Sequence, residues 1–216
     1  MGLPGTRILL VDDHPLFRAG VRRILESDAT LHVVGEAGTA EQALSLLRST
    51  PASLLLLDIS LPDQSGVDLL PRLRESYPNL RVLYLSAHPE SGFGPPLLRA
   101  GAQGYLNKQC TAAEILAAVR CVAAGDRYLP DPVRAQREQP DTDALTPHRR
   151  LGSRELQVFV RIARGLAPAT TAAELNLSVK TIRSYRRRIL EKLGLRSDAE
   201  MAAYAVRHHL LDSAIH

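Results

Sequence analysis

Five side chains suited to phosphate and metal chemistry lie at the ends of short apolar runs in the first half of the chain. They are Asp12, Asp13, Asp58, Ser86 and Lys108, which follow the runs 8–11, 54–57, 82–85 and 104–107. Short apolar runs between helical patterns are typical of parallel strands that are buried on both faces of a sheet. Because ligands bind beyond the carboxyl ends of such strands, we expect the five side chains to meet at one edge.

Three carboxylates, a hydroxyl and an ammonium are suited to binding a divalent cation beside a phosphoryl group. Clustered carboxylates raise one another's pKa unless a cation compensates, and Mg²⁺ prefers oxygen ligands. Phosphoryl transfer needs a further fixed cation and a hydroxyl, which Lys108 and Ser86 supply. Taken singly, the two adjacent acids could instead cap the following helix, and Asp58 could merely open a loop. The combination of all five favours the site.

The elements that position these groups alternate between strand and helix as far as about residue 125. We predict strands at about 7–12, 31–36, 54–58, 81–85 and 104–107, and helices from Pro15 and at about 39–48, 67–76 and 111–124. This alternation predicts an α/β fold with a five-stranded, doubly wound parallel sheet and right-handed crossovers. Two glycines and two prolines at 92–96 leave at most one helical turn in the segment after the fourth strand.

Charge and composition divide the 216 residues into two halves. From Arg149 onward there are 13 basic and 6 acidic residues, a balance of +7, whereas residues 1–148 carry 14 basic and 17 acidic residues. A small, strongly basic half suggests a polyanionic partner. The stretch 126–147 contains four prolines among charged residues, which is typical of a partly extended linker. We therefore expect domains at 1–126 and 148–216, joined by a linker at 127–147.

The second half is predicted to be all-α, with four helices and no strand. The helices are placed at about 153–164, 170–175, 179–193 and 197–210, with N-caps at Ser153, Ser178 and Ser197 and C-terminal caps at Gly165 and Gly194. The middle two helices predict a helix-turn-helix in which Ile182, Ile189 and Leu193 form a buried stripe. A basic face opposite that stripe suits the major groove of DNA better than the alternative, a charged helix that is merely solvated.

The first half resembles the receiver domain of two-component response regulators over about residues 6–125. The segments LLVDDHP at 9–15, LDISLP at 57–62, LSA at 85–87 and GAQGYLNK at 101–108 carry the resemblance. It implies that Asp58 accepts phosphate from a sensor histidine kinase. It also implies that Asp13 and Asp58 bind Mg²⁺ directly, with Asp12 acting mainly through water and Ser60 through its carbonyl group.

The same resemblance assigns the groups that respond to the phosphate. Lys108 would hold the phosphoryl group, Ser86 would move to bond it, and Tyr105 would swing inward as a coupled switch. A partly buried strand aromatic is the alternative for Tyr105. The resemblance implies only self-phosphorylation and self-dephosphorylation, so the protein is not otherwise expected to be an enzyme. Because residues 88–96 disfavour a helix, we expect them to be poorly ordered without phosphate.

The second half resembles the helix-turn-helix output domain of NarL/FixJ-type regulators, also called LuxR/GerE-type, over about 148–211. The segments LGSRELQV at 151–158 and LNLSVKTI at 175–182 carry the match. By position, base edges would be contacted by Arg183, Ser184 and Arg187, and phosphates by Lys180, Thr181, Tyr185 and Arg186. Thr171 stands where the family has a buried apolar residue, so the first helix of the pair is expected to be short and loosely packed. The last helix resembles a dimer-forming helix, although core packing is the alternative.

These features predict a phosphorylation-dependent, DNA-binding transcriptional response regulator in the cytoplasm. The expected partners are a sensor histidine kinase, double-stranded DNA and a second copy of the chain, paired on phosphorylation or on DNA; RNA polymerase is a further one. No membrane is expected, since no apolar run approaches about 18 residues and the N-terminus lacks signal-peptide features. Two alternatives are a phosphatase, disfavoured because no cap domain is evident, and a degenerate helix-turn-helix that acts through protein contacts. Cys110 and Cys121 are too far apart on the predicted helix for a disulfide.

Overall fold

The computed structural model describes residues 5–86, 97–98, 100–128, 147–208 and 210–211. The chain forms two compact units, the first holding most of the described residues up to 128 and the second those from 147 onward. The segment 88–96 and nearly all of the predicted linker lie outside the described residues. Among the helices of the described ranges, none combines the length and apolar character that crossing a bilayer requires.

The first unit is a parallel sheet of five strands. They are β1 (Thr6–Val11), β2 (Leu31–Ala37), β3 (Leu54–Asp58), β4 (Arg81–Ser86) and β5 (Gly104–Asn107), in the order β2-β1-β3-β4-β5. Four helices pack with this sheet in the described residues: α1 (Pro15–Glu26), α2 (Ala40–Ser49), α3 (Gly66–Ser76) and α4 (Ala112–Ala124). Every pair of neighbouring strands is parallel, so the predicted α/β fold is confirmed.

The central strands are buried because helices cover them. All five residues of β3 are buried, and residues 8–11 of β1 are exposed by at most 1%. One face packs against Val21 and Leu25 of α1 and against Ile115 and Val119 of α4. Burial on both faces of the sheet explains why these strands are continuous apolar runs in the sequence and do not alternate between apolar and polar residues.

The strand order reverses between β1 and β3. From β1 the chain crosses to β2 on one side, and then returns to β3 on the other side of β1. In open parallel sheets this reversal leaves a crevice beyond the carboxyl ends of the two central strands, where ligands bind. Asp12 follows β1 directly, and Asp58 is the last residue of β3. The topology therefore places two of the predicted acids at this crevice.

The second unit contains only helices in the described residues. A short 3₁₀ helix at Pro147–Arg150 precedes α5 (Ser153–Ala163), α6 (Pro168–Glu174), α7 (Val179–Leu193) and α8 (Asp198–Arg207). Ser178 and Ser197 cap α7 and α8, since their hydroxyls accept from the amides of Thr181 at 3.0 Å and Glu200 at 3.2 Å. Gly194 ends α7 at φ +66° and Gly165 follows α5 at φ +80°, as expected for left-handed caps.

Three predicted details of these helices are wrong. Ser153 is the first residue of α5 and not its N-cap, which is Gly152; the Glu155 carboxylate accepts from the Gly152 amide at 2.8 Å. The helix predicted at 170–175 begins at Pro168, because proline has no amide to satisfy in a first turn. The last helix ends at Arg207 rather than near residue 210.

Thr171 provides a test of packing in the second unit. Its side chain is fully buried, and its hydroxyl oxygen has no hydrogen-bond partner. A buried hydroxyl without a partner costs about 1–3 kcal/mol. We therefore expect Thr171→Val to raise the free energy of unfolding of this unit by about 1 kcal/mol in urea denaturation. Thr170→Val, at an exposed neighbouring position, is the control. Unchanged or lower stability in Thr171→Val would show that the hydroxyl is satisfied.

Candidate functional site

One ammonium group joins two acids from different strands at the crevice. Lys108 directly follows β5, and its Nζ lies 2.8 Å from Asp58 Oδ2 and 2.7 Å from Asp12 Oδ2. The backbone amide of Lys108 donates to the Ser86 carbonyl oxygen at 2.7 Å, which fixes where its side chain starts. The ammonium also lies 5.0 Å from the centroid of the Phe17 ring on α1. The lysine is therefore held from several directions over the carboxylates.

The two acids that Lys108 contacts are removed from solvent. Asp12 is 0% exposed and Asp58 2%, whereas the Asp13 side chain is 32% exposed. Backbone amides satisfy the other oxygens, because His14 donates to Asp12 Oδ1 at 2.9 Å and Ser60 donates to Asp58 Oδ1 at 3.0 Å. The site is thus a buried, preorganised ion-pair cluster with one acid at its solvent edge.

Burial and the neighbouring charges shift the pKa values of Asp58 and Lys108 in opposite directions. Burial raises the pKa of Asp58 to about 6, although the Lys108 ammonium and the Ser60 amide oppose the shift. For Lys108 itself, burial would lower the pKa, but the carboxylates of Asp58 and Asp12 outweigh it and hold the pKa above its usual value. At neutral pH the cluster therefore contains an ionised Asp58 and a protonated Lys108.

The acids lie close enough together to share a cation. Asp12, Asp13, His14 and Asp58 each offer one ligand atom, and these atoms all lie within 4.8 Å of one another. Mg²⁺ binds oxygens at 2.0–2.1 Å, so opposite ligands are about 4.2 Å apart and adjacent ones closer. The carboxylate donors therefore fit a hard divalent cation. The sequence analysis assigned no role to His14, although its position next to two acids was a signal.

Ser86 and Tyr105, the predicted switch residues, lie on neighbouring strands. Ser86 ends β4 and is 1% exposed, and Tyr105 lies within β5 and is 0% exposed. In the β4–β5 register, Ser86 pairs with Asn107 and Tyr105 with Tyr84. The Tyr105 side chain is therefore fully buried, whereas the alternative interpretation of this residue was a partly buried strand aromatic.

The loop after β3 is held tightly against the strand that precedes it. A Cβ atom at Gly66 would collide with the carbonyl oxygen of Asp58, so only glycine fits there. The Tyr84 hydroxyl donates to the Gly66 carbonyl oxygen at 3.0 Å, and the Ser65 hydroxyl donates to the Ile59 carbonyl oxygen at 3.2 Å. The sequence analysis did not identify Gly66 and Tyr84, which hold the loop beside Asp58.

The raised pKa of Asp58 predicts a pH-dependent stability. Since its folded pKa, about 6, lies above its ordinary value of 3.8, its contribution is present at low pH and lost as pH rises from about 4 to 6. Without metal at pH 7, we expect Asp58→Asn to be more stable than wild type by about 1–3 kcal/mol in urea denaturation. The difference should shrink towards pH 4, and added Mg²⁺ should stabilise wild type alone.

Asp63, in the same loop, is a control because its pKa is shifted in the opposite direction. Burial acts to raise its pKa, but the amides of Ala40 and Glu41, which donate to it at 2.9 Å, hold the pKa below its usual value. Its stabilisation is therefore present at neutral pH and lost in acid, so Asp63→Asn should be destabilised at pH 7. Equal stability of Asp58→Asn and wild type at pH 7 would show that Asp58 carries no strain from its ionisation.

In the second unit, α7 separates an apolar stripe from a basic face. Its buried residues are Ile182, Ile189 and Leu193, and its exposed cations include Lys180, Arg183, Arg187 and Arg188. Thr181, Ser184, Tyr185 and Arg186 are partly buried. The predicted stripe is confirmed. The sequence analysis missed Arg188, whose charge and helical position next to Ser184 and Thr181 were visible in the sequence.

Two predicted DNA-contact residues have partners within the unit. Arg186 Nε donates to Asp198 Oδ1 at 2.7 Å, so this arginine reaches towards the start of α8. The Ser184 hydroxyl donates to the Lys180 carbonyl oxygen at 3.1 Å. Arg187 is far more open, with 76% of its side chain exposed and only a 3.8 Å approach to Glu191. Arg187 is thus more available to a ligand than Arg186.

Charged side chains at the start of α5 hold the end of α6 and the last turn of α7. Arg154 donates to the Gln157 side chain at 2.8 Å and to the Leu175 carbonyl oxygen at 2.7 Å, at the end of α6. Glu155 accepts from Lys192 Nζ at 2.6 Å, which ties the start of α5 to the last turn of α7. The end of α6 and the last turn of α7 are therefore both fixed relative to α5.

Comparison with known proteins gives two family matches and similar full-length relatives. Residues 8–120 match the family described as "Response regulator receiver domain", and residues 149–205 match "Bacterial regulatory proteins, luxR family". Response regulator UvrY of Escherichia coli (strain K12) is 36% identical over 209 residues, covering 95% of this chain and 96% of the relative. Response regulator GacA of Pseudomonas viridiflava is 36% identical over 212 residues, covering 96% and 99%.

A similar fold occurs in RcsB from Salmonella enterica serovar Typhimurium, solved bound to promoter P1flhDC in the presence of phosphomimetic BeF₃⁻. The TM-score is 0.72 at 24% sequence identity, and the match covers 97% of this chain and 100% of that one. At this identity the similarity concerns the fold, a sheet unit followed by a helical unit.

Proposed function

We propose that phosphorylation of Asp58 controls this protein, because the chain belongs to the response regulators that join a receiver domain to a luxR-family helix-turn-helix domain. The protein is a DNA-binding transcription regulator of a two-component system. Membership of this family argues against the alternative that the protein is a phosphatase. It also favours DNA over a protein as the target of the second unit.

The observation that carries the proposal is the position of Asp58 at the end of β3, buried, with Oδ2 held 2.8 Å from Lys108. A carboxylate oxygen of Asp58 attacks the phosphorus of a phosphohistidine on a sensor histidine kinase. The P–N bond breaks, the imidazole leaves, and an acyl phosphate forms. The chain would catalyse this transfer and its own dephosphorylation, and no other reaction.

The carboxylates of Asp13 and Asp58 would hold Mg²⁺, with Asp12 acting through water and the Ser60 carbonyl completing the protein ligands. When bound, Mg²⁺ supplies charge neutralisation to the phosphoryl oxygens. The Lys108 ammonium is placed to stabilise the same oxygens from the other side of Asp58.

Ser86 and Tyr105 are proposed to sense the phosphoryl group. Their strands adjoin, and Ser86 ends β4 directly beside the start of the Lys108 side chain. A phosphoryl group brings roughly −1.5 to −2 charges and three acceptor oxygens, and the Ser86 hydroxyl can donate to one of them. Movement of Ser86 would then hold Tyr105 in the buried position. Residues 88–96, whose order is predicted to depend on phosphate, lie outside the described residues.

The second unit is proposed to read double-stranded DNA with α7 in the major groove. Base edges are assigned to Arg183, Ser184 and Arg187, and phosphates to Lys180, Thr181, Tyr185 and Arg186. The exposure of Arg183 and Arg187 opposite the buried stripe supports their part in this assignment. For Arg186, the Asp198 ion pair would have to open or to orient the remaining guanidinium nitrogens towards a phosphate.

The proposed domains are 1–126 and 148–216, with a linker at 127–147. Phosphorylation or DNA would stabilise a homodimer through the outer faces of α1 and α4 together with α8. Two recognition helices would then meet half-sites about one helical turn apart. DNA as the target favours a cytoplasmic location, with RNA polymerase as a further partner.

The proposal is tested by measuring mass and DNA affinity of the full chain with and without phosphodonor. We expect Mg²⁺ plus a small phosphodonor to increase both the dimer fraction in sedimentation and the affinity for promoter DNA. Neither should change in Asp58→Asn under the same conditions. Affinity for random duplex should fall steeply between two salt concentrations, as counterion release requires. A salt-independent affinity would instead favour the protein-binding alternative.

A further inference from the structure

The imidazole of His14 touches the acidic cluster without a role in the proposed phosphorylation. His14 Nδ1 lies 2.5 Å from Asp13 Oδ1 and 3.3 Å from Asp12 Oδ1. His14 is the N-cap residue of α1, yet its side chain makes no capping hydrogen bond, and its backbone amide alone donates to Asp12. The ring is therefore directed at the carboxylates and is not needed for the helix end.

We propose that His14 is a further metal ligand, which lets this site hold a first-row transition cation as well as Mg²⁺. The inference rests on the proposed function, because it uses the carboxylates that are assigned to Mg²⁺. Mg²⁺ prefers oxygen ligands and keeps several waters, so it gains little from an imidazole. Co²⁺, Ni²⁺ and Zn²⁺ bind imidazole well, so a nitrogen donor beside carboxylates changes which cation is preferred.

The distances suit coordination by His14 together with its acidic neighbours. The four ligand atoms lie within 4.8 Å of one another, somewhat more than the span of about 4.2 Å between opposite ligands in an octahedron, so a bound cation would draw them closer together. Asp12 Oδ1, which is proposed to act through water, lies 3.3 Å from His14 Nδ1 and leaves the ring free to bind beside it. The 2.5 Å approach to Asp13 Oδ1 is shorter than adjacent ligands allow, so the ring must turn slightly outward.

Solvent exposure permits that adjustment. The His14 side chain is 69% exposed, whereas Asp12 is fully buried and Asp58 nearly so. The ring can therefore rotate at the mouth of the site without disturbing the core, and a cation can enter past it. Lys108 faces the Oδ2 atoms of Asp12 and Asp58, whereas His14 approaches Oδ1 atoms. Coordination by His14 therefore does not require Lys108 to leave.

The test compares Co²⁺ and Mg²⁺ affinities in the full chain. Co²⁺ is titrated by its visible absorption, and only the signal that Mg²⁺ displaces is counted, which removes binding at other histidines. We expect the ratio of Co²⁺ to Mg²⁺ affinity to fall at least about tenfold in His14→Gln, since even outer-shell losses cost 10–100-fold. His32→Gln, which removes another exposed histidine of the same unit, should keep the wild-type ratio.

Pulsed electron paramagnetic resonance of the Mn²⁺-loaded protein is a second measurement. We expect ¹⁴N coupling from a bound imidazole in wild type and His32→Gln, and its loss in His14→Gln. An unchanged affinity ratio together with an absent ¹⁴N coupling in wild type would overturn the inference while leaving Mg²⁺ binding intact. If wild type bound neither cation at a site that Asp13→Asn removes, the proposed function itself would fail.

Discussion

Replacement of Asp58 by asparagine is expected to abolish phosphate incorporation from a small phosphodonor in the presence of Mg²⁺. An amide lacks the nucleophilic carboxylate oxygen, so no acyl phosphate can form, although the substitution nearly conserves the shape of the buried side chain. The measurement is the intact mass of the protein, with base lability identifying the acyl phosphate. Wild type should gain one phosphate.

Asp63→Asn is the matched control, since Asp63 lies in the same loop but uses its carboxylate to accept from the amides that begin α2. It should be labelled like wild type. Lys108→Ala should keep metal binding largely intact but lose the coupling between phosphate and DNA affinity, because the ammonium is proposed to hold the phosphoryl group. Labelling that persists in Asp58→Asn would move the acceptor to another residue.

The second large effect is expected on the exposed face of α7. Arg187→Ala and Arg183→Ala should each cost about 1–3 kcal/mol at the cognate site and relax the base preference there. Lys180→Ala should instead weaken cognate and random duplexes alike and reduce the salt slope by about 1, as expected for a phosphate contact. Fluorescence anisotropy with both duplexes at several salt concentrations measures each quantity.

Arg164→Ala removes the same charge from an exposed position after α5, away from α7, and serves as the control. It should change neither base preference nor the salt slope by a comparable amount. If the three α7 variants weakened every sequence equally, the assignment of Arg183 and Arg187 to base edges would be wrong.

The sequence predicts most of the fold because the relevant signals are local. Four leucines before Asp58 identify a strand buried on both faces, and the reactive residue after them identifies its carboxyl end. The same reasoning places Lys108 and Ser86 at the ends of neighbouring strands. Caps at Ser178 and Gly194 are also local, since each depends only on the residue and on the helix beside it.

The features that sequence reasoning missed depend on contacts between distant segments or on loop conformation. The approach of His14 to Asp13 is decided by the backbone after β1, which no apolar pattern encodes. The pairing of Arg186 with Asp198 requires the angle between α7 and α8. The start of α6 at Pro168 was missed because a run of small residues gives no apolar period, although proline is a common first residue of helices.

The cluster in which Lys108 contacts Asp12 and Asp58 has a consequence for the equilibrium between the unphosphorylated and the phosphorylated protein. Counting Asp12, Asp13 and Asp58 as carboxylates and Lys108 as an ammonium, the cluster has a formal charge of −2, which one divalent cation would cancel. Converting the Asp58 carboxylate to an acyl phosphate would add roughly one further negative charge, so the phosphorylated protein is expected to bind a divalent cation more tightly. By thermodynamic reciprocity, the bound cation then shifts the phosphorylation equilibrium towards the acyl phosphate. If Asp58 is the phosphate acceptor and Mg²⁺ the bound cation, as proposed, the free magnesium concentration would be a second input to the activated fraction, beside the kinase.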